Sequence, residues 1–222
     1  RHAEMSFYHA IDYNYFATDF HIDMFFKNLF SNQGPTMHFR AMESSKVVRS
    51  GWPMEYMDQT LAPYKGMDKR NLVIFPHRIA PEKQVEIFRD LKLQLPEYDF
   101  VVCQDQELTK NEYHNILGEA KIVFSASLQE TLGIGCYEGA LLDAIPLVPD
   151  RLSYKEMYDN EFRYPSDWTR GWDAYLQNRD KLVEHIRYMM NHQEDIVGHV
   201  RNQAWDLTNN FFTARALLDN LK

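Results

Sequence analysis

The sequence has 222 residues, 45% of them hydrophobic and 14% aromatic, enough to bury a sizeable core in one large domain or one domain with an appendage. Its formal net charge of −8 disfavours a dedicated nucleic-acid-binding module, although it leaves room for a local basic groove. Two cysteines make no disulfide framework, and no apolar run approaches the ~18 residues of a membrane span. No signal peptide opens the chain, so we expect a cytoplasmic protein.

The first 32 residues are dense in aromatic side chains and predict one amphipathic helix, ended by the Gly and Pro at 34 and 35. A short strand is expected within 46–57, before a Gly-Trp-Pro turn, and a polar connector at 59–70. The apolar face of the predicted helix would contain Tyr15, Phe16, Phe20, Met24, Phe25 and Leu29.

From residue 71 onward the chain alternates between predicted strands and predicted helices. This alternation is typical of βαβ units, so it predicts an α/β fold with a Rossmann-like parallel sheet and helices on both faces. Thr109 and Glu112 have the spacing of a capping box at the start of the second helix. Strands are expected at 71–77, 98–104, 121–127 and 145–150, and helices at 81–95, 109–120, 135–144, 178–196 and 199–221.

Charged side chains follow two of these strands at the point where each strand ends. Arg78 and Lys83 follow the first strand, and Glu130 precedes a Gly-rich turn at 133–135 that begins the helix carrying Glu138. Ligands of open parallel sheets bind beyond the carboxyl ends of the strands. Arginine and lysine neutralise phosphate charge, free helix-end N–H groups face anions, and carboxylates accept hydrogen bonds from sugar hydroxyls. The edge of the sheet is therefore suited to a sugar-nucleotide diphosphate.

These residues, in this order, resemble the C-terminal, donor-binding domain of retaining glycosyltransferases of the GT-B type, which have two facing Rossmann-like domains. The segment RIAPEK at 78–83 resembles the family's R-L-x-P-E-K, and Glu130 and Glu138 match its E-x7-E motif. The matching order and spacing cover about residues 71–150. A looser likeness links NYFATDFHIDMFF to the end of the family's first domain, and SGWPMEYM to its interdomain segment.

The resemblance implies a hexosyltransferase that needs no metal and no cofactor, with the nucleotide-diphosphate sugar as its substrate. Arg78 and Lys83 would bind the diphosphate and stabilise the leaving nucleotide, Glu130 would hold the donor sugar, and Glu138 would hold the ribose hydroxyls. The base would lie near residues 103–106, where VVCQDQ departs from the family's Gly-rich sequence and leaves the nucleotide open. Further donor contacts are expected from His77, Thr131, Leu132 and Gly133.

The family's acceptor-binding half is longer than the segment that precedes residue 46. We expect 1–45 to be the end of that N-terminal domain, 46–196 to be the nucleotide-sugar-binding domain, and 197–222 to be a crossing helix. The missing half would have been removed, which we favour, or would be supplied by a partner chain, or the protein would be a reduced enzyme. On this expectation the chain alone would bind a nucleotide sugar weakly and transfer nothing.

The acceptor stays open between a saccharide, a lipid and a nucleic acid. LVIFPHR and PLVPDRLSY resemble the subfamily that mannosylates queuosine in transfer RNA, and phage enzymes that glucosylate modified DNA bases share the architecture. Within this chain, a basic footprint for tRNA or DNA would involve Arg151, Arg163 and Arg170. The alternatives outside this class are a non-catalytic, flavodoxin-like nucleotide-binding module and, with a poorer fit to RIAPEK, a nucleotide-sugar epimerase.

Overall fold

The computed structural model describes residues 13–33 and 46–220, which fall into two compact units. Of the described residues, 13–33, 46–55 and 208–220 belong to one unit, and 56–207 belong to the other. The described strands are β1 (Tyr13–Phe16), β2 (Lys46–Arg49), β3 (Arg70–Phe75), β4 (Asp99–Val102), β5 (Ala120–Phe124), β6 (Ile145–Pro149) and β7 (Arg163–Tyr164). The described α-helices are α1 (Asp19–Gln33), α2 (Met57–Leu61), α3 (Val85–Gln94), α4 (Lys110–Glu119), α5 (Ile134–Leu141), α6 (Tyr154–Met157), α7 (Trp172–Asn191), α8 (Gln193–Asn210) and α9 (Arg215–Asn220).

The larger unit is built on a five-stranded sheet with the strand order β4-β3-β5-β6-β7. Every pairing in this sheet is parallel. The carboxyl ends of all its strands therefore lie along one edge, and the loops that follow them are neighbours. The parallel α/β sheet predicted from residue 71 onward is confirmed.

Helices cover both faces of this sheet, as the side chains of β5 show. Successive residues of a strand point to opposite faces. On one face, the Phe124 ring lies 6.0 Å from that of Phe88 in α3, which also contacts β3 and β4 through aromatic rings. On the other face, Val123 packs so closely on Gly139 of α5 that a Cβ there would collide with it. Gly139 thus sets the spacing between α5 and the sheet.

Helix α4 begins where the sequence predicts, and for the predicted reason. The Thr109 hydroxyl accepts a hydrogen bond from the backbone N–H of Glu112, and the Glu112 carboxylate accepts one from the N–H of Thr109. This capping box satisfies two of the backbone donors that a helix start leaves unpaired. It fixes the start of the helix whose first turn carries Tyr113.

The N-terminal prediction is wrong in part. Tyr15 and Phe16 lie in β1, which pairs with β2 in a parallel two-stranded sheet, and α1 begins only at Asp19. Thr18 ends the extended segment, because its side-chain oxygen accepts a hydrogen bond from the N–H of His21, as at a helix start. β2 therefore belongs to this small sheet rather than to the five-stranded one.

The C-terminal region also differs in detail from the prediction. α7 begins at Trp172, six residues earlier than expected, because Gly171 provides the unusual backbone that precedes it. The expected last helix is divided into α8 and α9. β7, with two residues, is too short to produce any periodic pattern in the sequence. None of the helices in the described part of the chain is both long and apolar enough to cross a membrane.

Candidate functional site

A buried ion pair joins the loops that follow β3 and β5. The Lys83 ammonium donates hydrogen bonds to the Glu130 carboxylate at 2.8 Å and to the Gln129 carbonyl at 2.6 Å, and its side chain is only 10% exposed. The other Glu130 oxygen accepts a hydrogen bond from the backbone N–H of Thr131 at 2.9 Å. His77 Nδ1 lies 3.8 Å from the oxygen that Lys83 binds. The sequence-predicted Lys83, Glu130 and His77 are thus brought together.

The charges in this cluster determine its protonation. Burial lowers the pKa of His77, more than the neighbouring Glu130 carboxylate raises it. Burial would raise the pKa of Glu130, but the hydrogen bond and charge of Lys83 outweigh it, and the pKa is lowered. Near neutral pH the cluster therefore holds a neutral imidazole beside a carboxylate. His77 Nε2 is buried without a hydrogen-bond partner, so the imidazole retains binding capacity.

Gln84 fixes the turn that carries Lys83. Its backbone is left-handed, with φ of 55°, a conformation that strains most side chains by about 1–2 kcal/mol. The buried Gln84 amide compensates by donating to the carbonyls of Ala126, at 2.5 Å, and Thr169, at 2.8 Å. The turn after β3 is therefore tied directly to the loop after β5, and Lys83 is held beside Glu130.

A second cluster surrounds Glu138, in the second turn of α5. The Tyr113 hydroxyl donates to Glu138 Oε2 at 2.8 Å, and His114 Nε2 lies 3.8 Å from Oε1. Burial raises the pKa of Glu138, although the hydrogen bond from Tyr113 opposes the rise. Tyr113 and His114 come from α4, and sequence reasoning did not identify either as a site residue.

The Gly-rich turn is required by close packing. Gly133 caps the start of α5 with φ of +64°, and a Cβ there would lie 2.6 Å from the Tyr154 ring. A Cβ on Gly135 would lie 2.7 Å from the Pro76 ring at the end of β3. Larger residues at either position would push α5 away from the sheet. The amino end of α5 therefore stays at the edge where the clusters lie.

A cleft of about 330 Å³ opens at the carboxyl ends of β3 and β4. One wall is fixed by Gln104, whose side-chain oxygen accepts a hydrogen bond from the backbone N–H of Ile79. Arg78 is 70% exposed and forms an ion pair with Glu82. The lining residues are Pro76, His77, Arg78, Cys103, Gln104, Leu108 and Tyr113.

The predicted site residues are distributed over four places. His77 and Arg78 line the cleft, whereas Lys83 and Glu130 form the buried pair between the loops that follow β3 and β5. Glu138 is reached from the cleft through Tyr113. The remaining predicted contacts lie in the turn before α5, where Thr131 is exposed while Leu132 and Gly133 are buried.

The three arginines considered for a nucleic-acid footprint are occupied within the larger unit. Arg151 donates to carbonyls of Ala126, Ser127, Ser166 and Thr169. Arg163 binds Asp150 and Asn160, and Arg170 forms an exposed ion pair with Asp167. Arg151 and Arg163 are thus structural, and they do not form an exposed basic groove.

The sequence matches no protein-family model and no curated protein. Solved structures do resemble it. The pneumococcal O-GlcNAc transferase GtfA, in complex with UDP and GlcNAc, matches with a TM-score of 0.58 and 15% identity over 95% of this chain and 44% of that one. A point mutant of S. aureus TarM, in complex with Fondaparinux, alpha-GlcNAc-glycerol and UDP, matches with a TM-score of 0.53 and 11% identity over 86% of this chain and 41% of that one. A structure of the GtfA/B complex matches with a TM-score of 0.52 and 12% identity over 93% and 46%.

At these identities the likeness shows the fold. The five-stranded sheet and its helices have the architecture of the C-terminal Rossmann-like half of the GT-B glycosyltransferase fold. The chain spans less than half the length of each of these structures.

Proposed function

We propose that this chain carries the donor site of a glycosyltransferase that transfers a sugar, with retention of configuration, from a nucleotide-diphosphate sugar. The observation that carries the proposal is the buried pair of Lys83 and Glu130, at the carboxyl edge of a sheet with the GT-B architecture. Buried charges are costly unless they are paired. Lys83 lies at this edge, beside the cleft. It is therefore well placed to exchange a hydrogen bond to Glu130 for one to a phosphate.

In this proposal Lys83 supplies the positive charge that stabilises the leaving diphosphate. Its ammonium has three donors, of which two are engaged by Gln129 and Glu130. Arg78 is exposed at the cleft, and it would leave its ion pair with Glu82 to bind the phosphates. Preorganised cations of this kind stabilise the negative charge that develops as the glycosidic bond breaks. Glu130, bound to Lys83, would face the hydroxyls of the donor sugar.

The donor is proposed to be a uridine diphosphate sugar, because the structures of GtfA and TarM both contain UDP. The acceptor would be held by residues outside the larger unit or by a partner chain, as the existence of a GtfA/B complex suggests. We favour an acceptor other than a nucleic acid, because Arg151 and Arg163 are used internally.

Replacing the buried lysine tests the donor site. We expect Lys83→Met to weaken UDP binding at least tenfold in a calorimetric titration, because a hydrogen bond to a charged group contributes roughly 1.5–3 kcal/mol. Lys155→Met, at an exposed lysine on α6, is the matched control and should bind normally. If Lys83→Met alone does not fold, the double variant Lys83→Met with Glu130→Gln replaces it in the titration, because it leaves no unpaired charge from this ion pair. Wild-type affinity in the Lys83 variants would refute the assignment.

Retention has its own test. Once a transfer product is obtained with a candidate acceptor, the proton coupling constant at the anomeric carbon identifies its configuration. The proposal predicts the same anomeric configuration as in the donor. A product with the inverted anomeric configuration would contradict the retaining mechanism but not the assignment of the donor site.

A further inference from the structure

Tyr113 lines the cleft and contacts Glu138. Its hydroxyl donates to Glu138 Oε2 at 2.8 Å, and the residue lines the cleft beside Pro76. A Cβ built on Gly135 would lie 3.4 Å from the same hydroxyl, so the first turn of α5 also packs against it. The hydroxyl is therefore held at a defined place beside the carboxylate.

The carboxylate of Glu138 is only half satisfied by the described residues. Oε2 accepts the hydrogen bond from Tyr113, whereas His114 Nε2 lies 3.8 Å from Oε1, too far for a hydrogen bond. No lysine or arginine of the described part forms an ion pair with Glu138. A buried anion whose bonded partner is a neutral hydroxyl has capacity for further neutral donors, and it repels phosphate.

We propose that Tyr113 is a positioning residue that orients the Glu138 carboxylate toward the ribose hydroxyls of the nucleotide, and so sets selectivity for ribonucleotides over 2′-deoxyribonucleotides. The inference rests on the proposed function, since it concerns the nucleotide that this donor site would hold. With Oε2 fixed by Tyr113, the carboxylate has one orientation, and Oε1 is the oxygen free to accept from the sugar.

The test compares matched pairs of nucleotides. UDP, GDP and ADP, and the 2′-deoxy form of each, are titrated calorimetrically into the chain and into Tyr113→Phe. The wild-type chain should bind the ribonucleotide roughly tenfold more tightly than its 2′-deoxy form, because the deoxy form lacks one hydrogen bond to a charged group. Tyr113→Phe should reduce this ratio to about threefold or less, while affinity for the 2′-deoxy form changes little. Tyr188→Phe, at an exposed tyrosine on α7, should preserve the wild-type ratio.

The ratio separates positioning from a general structural role. If Tyr113→Phe weakens both forms equally or leaves the ratio unchanged, the inference is overturned while the proposed function stands. Equal binding of both forms by the wild-type chain overturns it in the same way. If the wild-type chain binds none of the nucleotides, the proposed function fails and takes the inference with it. Should Tyr113→Phe fail to fold, Glu138→Gln replaces it, and a retained ratio there overturns the inference, because Tyr113 acts only through Glu138.

Discussion

At the scale of single residues, Glu138 is held in surroundings that disfavour its own charge. Burial raises its pKa, and the Tyr113 hydroxyl and the charge of Lys110 compensate only in part. Its side chain is 10% exposed, so water screens it poorly. Groups kept in such a position are more common at functional sites than elsewhere. A carboxylate at this position, despite its destabilising effect, is consistent with a binding role.

Glu138→Gln should therefore stabilise the fold above the pH at which glutamate ionises. Because the folded pKa is raised, ionisation of Glu138 favours the unfolded chain, in which the ordinary value of 4.5 applies. Below that pH both states are protonated and the variant gains nothing. As the pH rises above 4.5 the advantage of the variant should appear, and it should persist at neutral pH. Denaturant unfolding at pH 4 and pH 8 measures it, with Glu184→Gln as an exposed control. A variant less stable than the wild type at both pH values would contradict this account.

The sequence predicts some of these contacts and misses others for a physical reason. Lys83 and Glu130 follow two adjacent parallel strands, so their proximity follows from the topology alone. Tyr113 lies 25 residues before Glu138 on another helix, and no spacing rule connects two helices. Its contact depends on the packing of α4 against α5, which only the tertiary structure determines.

At the scale of elements, the loop after β5 is held by the half-buried guanidinium of Arg151. Arg151 donates to the carbonyls of Ala126 and Ser127 in this loop, and to the carbonyl and hydroxyl of Thr169. The donor–acceptor distances run from 2.8 to 3.1 Å. Arg151 thus anchors the beginning of the segment that ends in Glu130.

Removing this anchor should loosen the loop and the site together. We expect Arg151→Met to lower the free energy of unfolding by about 3 kcal/mol, because several charge-assisted hydrogen bonds are lost and their carbonyls lose partners. Arg187→Met, which breaks an exposed ion pair with Glu97, should change it by less than about 1 kcal/mol. Urea unfolding of the two variants gives the comparison. Equal losses in both would show that Arg151 is not a structural anchor.

The elements differ in how far local sequence determines them. The start of α4 is encoded locally by Thr109 and Glu112, so it was predicted correctly. The segment from Tyr15 to Phe16 has helical spacing with the residues after it, yet it forms β1, because pairing with β2 satisfies its backbone. That pairing joins segments about thirty residues apart, and periodicity within one segment contains no information about it.

At the scale of the whole molecule, the described residues contain one five-stranded parallel sheet with the architecture of the C-terminal half of the GT-B fold. Its carboxyl edge carries the cleft, the buried pair and the Glu138 cluster. Sugar transfer requires donor and acceptor in near-attack contact with water excluded. Because the larger unit supplies only the donor side in our proposal, donor binding is the property that the chain itself should display.

The most direct test of the donor-site proposal is the thermal unfolding midpoint of the 222-residue chain in the presence of UDP-, GDP- and ADP-sugars. A ligand at a hundred times its dissociation constant stabilises the folded state by about 2.7 kcal/mol, which corresponds to a shift of several degrees. We predict such a shift with at least one of these sugars, and first with a UDP-sugar. Unchanged midpoints with all of them at millimolar concentration would contradict the proposal that this edge of the sheet is a donor site.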